Sequence, residues 1–177
     1  MKYLVASDIH GSLYYTKKLL ELIDKENPDK IILLGDLYYH GPRNPLSFEY
    51  NPKEVSNILN SYKDIIHVVK GNCDAEVDEM ISEFKFYKII KMNICGKRMA
   101  FTHGHIYNID KPLDDIDILI YGHFHTGYIK EKDNIIYINS GSLSLPKNDT
   151  KNSYLIIEDN TIYLKDLEQN VINKINF

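Results

Sequence analysis

Two histidines separated by one residue, His123 and His125, follow the short apolar run Ile118-Leu119-Ile120-Tyr121-Gly122. If the backbone stays extended past Gly122, alternate side chains point to one side, so both imidazoles leave the strand together and invite a metal ion. The same ending recurs four times. Asp8 and His10 follow Lys2 to Ser7, Asp36 follows Lys30 to Gly35, Asn72 follows Ile65 to Gly71, and His103 and His105 follow Arg98 to Thr102. Each segment alone reads as a strand closed by ordinary turn residues. Together they say more. Of the seven histidines, five (His10, His103, His105, His123 and His125) fall directly after apolar runs, and His40 and His67 do not.

Asp8, His10, Asp36, Asn72, His103, His123 and His125 exceed what one tetrahedral ion takes. Two ions about 3.5 to 4 Å apart, bridged by one carboxylate, would use them all. Imidazole, carboxylate and amide donors suit transition ions rather than calcium. The expectation is two divalent cations from among Mn²⁺, Fe, Co²⁺, Ni²⁺ and Zn²⁺; affinity order alone does not choose among them, and Mn²⁺ is taken first. Two such ions against two aspartates leave a net positive centre that wants an anion. A bridging water there is acidified towards neutral pH, giving a hydroxide aimed at phosphorus while the cations hold the non-bridging oxygens. The expected reaction is hydrolysis of a small phosphodiester.

The elements that bring these residues together are legible as an α/β pattern. Ser12 can cap a helix running to about Lys25, with Leu19, Leu20 and Ile23 inward, ended by Asn27-Pro28-Asp29. Strand, helix and strand at this spacing predict a right-handed parallel crossover, whose ligands gather beyond the carboxyl ends of the strands. Leu37 to Pro52 is a long loop of the kind that carries function. Lys53 to Tyr62 is a second helix, and Asp74 caps a third, Ala75 to Phe84. From Phe86 onward strands dominate: Lys88 to Cys95, Arg98 to Thr102, Asp117 to Tyr121, hairpins turning at Asp133-Asn134 and Asp159-Asn160, and a last strand from Val171 to Phe177. Two sheets face to face with helices outside follow from this order.

With 177 residues, 44% hydrophobic and 26% charged, one domain spanning 1–177 is expected. No apolar run is long enough to cross a bilayer, and the first residues do not read as a leader. Cys73 and Cys95 are too few for a disulfide framework, so a cytoplasmic protein is expected. A net charge of −4 without a basic cluster argues against extended nucleic-acid binding. The late β-strands offer edges that a second copy could cover, giving a homo-oligomer.

Asp8-Ile9-His10, Gly35-Asp36, Gly71-Asn72, His103-Gly104-His105 and Gly122-His123-Phe124-His125 resemble, in order, the motifs of calcineurin-like metallophosphoesterases. Ser7 to Ser12, His40-Gly41-Pro42-Arg43-Asn44, Gly71 to Asp74 and Asn139-Ser140-Gly141-Ser142 look like the small bacterial YfcE-type phosphodiesterases. The resemblance implies a four-layer α/β/β/α sandwich of two mixed sheets with a dimetal site at the carboxyl edge of the strands. It also implies that Asp8, His10, Asp36 and His125 hold the first ion, and Asp36, Asn72, His103 and His123 the second. Asp36 would be the bridge.

The widespread family pattern has a histidine where this chain has Cys73, and a thiol is a poor substitute for imidazolium as proton donor. His105 is the spare imidazole for that role or for orienting substrate, the alternative being a hydrogen bond that positions a ligand. Asp36, Asn72 and His105 are thus the candidate catalytic residues, and His40, Arg43 and Cys73 the candidate substrate contacts. Arg43 could equally pair with Glu49. Tyr38 and Tyr39 sit where they could stack on a substrate. A catalytically silent protein-binding scaffold of the same fold is the competing expectation.

Overall fold

The computed structural model describes residues 1–177. Strand β1 (Tyr3–Ala6) leads into helix α1 (Leu13–Glu26), then β2 (Lys30–Leu33), α2 (Pro52–Asn60), β3 (Ile66–Val69), α3 (Glu76–Ile81) and the short β4 (Phe86–Tyr87). The remainder is β-structure: β5 (Ile90–Ile94), β6 (Lys97–Phe101), β7 (Ile118–Tyr121), β8 (Gly127–Lys132), β9 (Ile135–Ser140), β10 (Ser153–Glu158), β11 (Thr161–Asp166) and β12 (Val171–Asn176).

A seven-stranded sheet runs β12-β11-β10-β1-β2-β3-β4 and a five-stranded sheet runs β5-β6-β7-β9-β8. Strands β1 to β4 are parallel in the first, as are β6, β7 and β9 in the second, and antiparallel strands complete both. Period-two alternation divides the core. Leu4, Ile31, Leu33 and Val68 face Leu19, Leu22, Val55 and Leu59 of the helices. Val5, Ile32, Val69 and Leu155 face Phe101, Ile118, Ile120 and Ile138 across the gap between the sheets. The central parallel strands are therefore buried on both faces, which is why they read as unbroken apolar runs. The outer layer over the smaller sheet is the segment between β6 and β7. It forms turns rather than a helix and lays Ile109, Leu113 and Ile116 on Leu119, Tyr121 and Tyr137.

The Ser12 hydroxyl accepts the Tyr15 N–H at 3.3 Å and caps α1 as expected, and Asn27 ends the helix with φ 46°. Its inner face differs by one position: Leu22 is buried and Leu20 only partly. Both hairpin turns are present, with Asp133, Asn134, Asp159 and Asn160 all at positive φ. Asp74 does not cap α3, which is also shorter than expected. The Ala75 N–H goes instead to Asp78 Oδ2 at 2.7 Å, which leaves the Asp74 carboxylate free for another task.

Candidate metal centre

The loops after β1 and β2 stay zipped beyond the sheet: Asp8 N donates to Gly35 O at 3.1 Å and His10 N to Asp36 O at 2.9 Å. Asp8, His10 and Asp36 are thereby held side by side at the carboxyl edge. Asp8, His10, Asp36, His123 and His125 all have φ between 49° and 66°. This left-handed region costs a residue with a Cβ roughly 1–2 kcal/mol. Five strained residues gathered at one strand edge mark a functional site.

Glycine is required where the two loops touch this edge. A Cβ at Gly71 would lie 2.2 Å from Asp36 Oδ1, and one at Gly122 would lie 2.0 Å from Ser7 Oγ and 2.6 Å from Asp8 Oδ2.

The donor atoms converge. His125 Nε2 is 3.2 Å and His10 Nε2 3.6 Å from Asp8 Oδ1, while His10 Nε2 is 3.8 Å from Asp36 Oδ2. On the other side His103 Nε2 is 3.4 Å from Asp36 Oδ2 and 3.0 Å from Asn72 Oδ1. An ion with ligands at about 2.0–2.2 Å separates neighbouring donors by roughly 3.0–3.5 Å. Asp8 with His10 and His125, and Asp8 with Asp36 and His103, form two groups compact enough to hold an ion. His123 lies beside the second group, its ring centroid 5.1 Å from that of His103, and its backbone N–H donates to Asp8 Oδ2 at 3.0 Å.

The residues fit a metal on two further grounds. Asp8 Oδ1 is fully buried and finds no hydrogen-bond donor, a costly state for a carboxylate unless a cation meets it. His10, His103 and His125 direct Nδ1 at the carbonyls of Tyr39 (2.8 Å), Leu34 (2.6 Å) and Leu145 (2.6 Å). Carbonyls only accept, so Nδ1 carries the proton and Nε2 is left to face the centre.

The electrostatics agree. Burial alone would raise the carboxyl pKa values, yet the imidazoles of His10 and His125 hold Asp8 well below its ordinary value and His103 holds Asp36 down. Burial would lower His103, but Asp36 and Asp8 keep it up at about 9. Burial and the neighbouring His103 push His123 down to about 4. Negative carboxylates thus hold positive charge between them, the place a divalent cation would take.

Supporting groups that the motif reading passed over fix the donors. The Asp74 carboxylate accepts the N–H groups of Asp36, Leu37 and Gly71 at 2.8, 2.8 and 2.7 Å. Burial and the Asp36 charge nonetheless push it up to about 6. Ser142 and Ser144 both donate to Asp8 O, at 2.8 and 2.9 Å, and Asn139 Nδ2 holds Gly122 O at 2.7 Å. Only the polar turn from Asn139 to Ser142 hinted at this scaffold.

A cavity of about 50 Å³ opens at the donors, lined by Asp36, Asn72, His123 and His125 together with Arg43, Asn44, Cys73 and Lys147. A larger groove of about 610 Å³ beside α1, lined by Lys18, Lys25 and Lys151, contains none of the donors. The donors line the smaller one.

Arg43 forms no ion pair; Glu49 pairs with Lys17 at 3.8 Å instead. His40 packs edge-on against Tyr39 and Tyr50 and does not line the cavity. Tyr38 is a core residue, 2% exposed, whose hydroxyl meets Ser82 Oγ at 2.7 Å, so it is not available for stacking. The Cys73 thiol is pushed up to about 12 by burial and then by Asp36, and its N–H donates to Asp36 Oδ1 at 2.8 Å. His105 is exposed, its ring centroid 6.1 Å from that of His123, beside a second cavity of about 260 Å³.

Residues 1–161 match the calcineurin-like phosphoesterase superfamily domain. The chain is 36% identical over 165 residues to phosphodiesterase YfcE of Escherichia coli K12, covering 92% of this chain and 90% of that protein. The structure of that E. coli phosphoesterase superposes with a TM-score of 0.95 at 34% identity, over 99% of both chains. Vps29 of Entamoeba histolytica complexed with Zn²⁺ shares the fold, with a TM-score of 0.65 at 23% identity over 99% of both chains. On the extent of these matches, the chain belongs to the calcineurin-like phosphoesterase superfamily.

Proposed function

We propose that this chain hydrolyses a small phosphodiester at a two-metal centre, with Mn²⁺ as the working ion. The observation that carries the reading is the pair of donor groups meeting at Asp8 and Asp36, with three imidazoles turned towards them by backbone carbonyls. Asp8, His10, Asp36 and His125 would hold one ion, and Asp36, Asn72, His103 and His123 the other, Asp36 serving both. Bound there, divalent ions would acidify a water and offset charge on the phosphoryl oxygens.

The chain's own residues divide the remaining work. Arg43, which lines the cavity and forms no ion pair, would hold a phosphoryl oxygen. Cys73, a neutral thiol beside Asp36, is a poor proton donor at working pH, so His105 remains the candidate for the leaving oxygen, although burial and His103 lower its pKa and it lines a neighbouring cavity. The E. coli relative is a phosphodiesterase, which favours a diester over a monoester here. No helix is long and apolar enough to cross a membrane, and both cysteines are free. These features support work in the cytoplasm. A silent scaffold gains no support from a donor set that is complete.

Purified protein with Mn²⁺ should cleave bis-p-nitrophenyl phosphate, and His123→Ala or Asp36→Ala should abolish cleavage. No turnover with manganese, zinc, cobalt, nickel or iron would end the proposal.

A further inference from the structure

Lys147 lines the metal-centre cavity and has no partner for its charge. It forms no ion pair, whereas Lys151, a few residues on, pairs with Asp166 at 2.7 Å. Its backbone is held from both sides. The Lys147 N–H donates to His125 O at 2.9 Å, and its carbonyl accepts from Thr150 N at 3.1 Å and Thr150 Oγ1 at 2.7 Å. Between them Asn148 and Asp149, at φ 54° and 57°, close a tight turn, and Asn148 Nδ2 donates to Thr126 Oγ1 at 3.0 Å. Asn and Asp are the residues that adopt this backbone most readily after glycine. The base of the lysine is therefore a fixed extension of the loop carrying His125, while its exposed, flexible stem lets the ammonium reach towards the cavity.

The size of the cavity limits what that ammonium can meet. The cavity is small, about 50 Å³, so a phosphoryl group held at the donors lies beside the other lining residues. A phosphoryl group there meets the donor set together with Arg43 and Lys147, the two side-chain cations of the lining wall, neither of them neutralised by a carboxylate. An unpaired ammonium at such a wall makes short, charge-assisted hydrogen bonds to phosphoryl oxygen.

We propose that Lys147 is a substrate-binding residue whose ammonium takes a non-bridging oxygen of the phosphoryl group, alongside Arg43. The proposal rests on the phosphoesterase reading above and adds to it: Lys147 recognises the phosphoryl group itself, whatever the ester substituents are.

The test uses the full chain loaded with Mn²⁺, inorganic phosphate as probe, and the variants Lys147→Gln and Lys147→Arg. Phosphate affinity is read by calorimetry, KM and kcat with bis-p-nitrophenyl phosphate, and bound metal by elemental analysis. Lys147→Gln should bind phosphate about tenfold more weakly and raise KM by a similar factor, with kcat within about threefold and bound metal unchanged. Lys147→Arg should restore most of the affinity, because a guanidinium also serves phosphoryl oxygen. Unchanged phosphate affinity in Lys147→Gln overturns the proposal. So does a loss of phosphate binding that tracks a loss of metal, since the 147 loop would then only support His125. If wild-type protein turns over no ester but Lys147→Gln still weakens phosphate binding, the hydrolase reading falls and the Lys147 contact stands.

Discussion

The Nε2 atoms of His10 and His125 stand 3.2 Å apart, and both face Asp8 Oδ1. With each Nδ1 proton committed to a backbone carbonyl, neutral His10 and His125 would aim two lone pairs at one spot, an arrangement that a cation relieves. His125→Ala should lower bound metal by about one ion per chain and cut turnover by roughly a thousandfold or more. Chelation should also lower the melting temperature, by about 5 °C or more, because saturating metal at about 100 times its Kd adds roughly 2.7 kcal/mol. Elemental analysis and a melting scan with and without EDTA decide this, and equal melting points would refute it.

Asp74 gathers the N–H groups of Asp36, Leu37 and Gly71, and so sets how the loops after β2 and β3 meet. Asp74→Asn keeps one oxygen and replaces the other with a donor facing donors. Metal affinity should fall about 10- to 100-fold, the usual cost of losing a group that positions a ligand. Titration of the apo-protein with Mn²⁺ measures it; wild-type affinity would show that the three N–H groups hold their places unaided.

Gly122→Ala tests the closeness of the two sheets at the site. The added methyl meets Ser7 and the Asp8 carboxylate, all buried. A loss of about 1–3 kcal/mol in stability is expected from overpacking, with weakened metal binding through the displaced Asp8. A urea melt combined with metal analysis separates the two effects, and a variant that retains full metal would place the clash elsewhere.

Glu26 supplies a pH dependence remote from the centre. Its carboxylate accepts from Lys165 at 2.6 Å and Tyr154 at 2.8 Å and pairs with Lys2 at 2.9 Å. Burial would raise its pKa, yet these partners hold it at about 2 against an ordinary 4.5. A depressed carboxyl stabilises fully above its unfolded pKa, so its contribution drains away as the pH falls from about 4.5 towards 2. Glu26→Gln should cost about 1–2 kcal/mol at pH 7, below the ~3–5 of a fully buried pair because both lysines still reach water. Urea midpoints should show the gap between variant and wild type shrinking by about half at pH 3. A gap constant with pH would refute the assignment.

The donor set was legible because each member ends an apolar run, and a strand end is the one place where order along the chain becomes convergence in space. Asp74 was misread for a related reason. An Asp before an acid-rich turn looks like a helix cap, and only the meeting of Gly35 with Gly71 reveals three N–H groups competing for it. Leu20 and Leu22 lie on opposite flanks of the stripe that Leu19 and Ile23 make along α1, so the choice between them depends on how the helix is rotated about its axis against the sheet, which periodicity does not report. Lys147 carried no motif. Its place follows from the turn at Asn148-Asp149 and a hydrogen bond to His125, both products of the tertiary structure.

Strand β1 pairs on one side with β2 and on the other with β10, and the Asp8 carbonyl is clasped by Ser142 and Ser144. A nascent chain can therefore make its first strand and helix early, but the Asp8 loop has no clasp until some 140 further residues have left the ribosome. Pairing at such separations is slow. On the two-metal reading, ion capture would belong to the last stage of maturation, and a chain truncated before Ser142 would have the leading Asp-x-His motif without a formed centre.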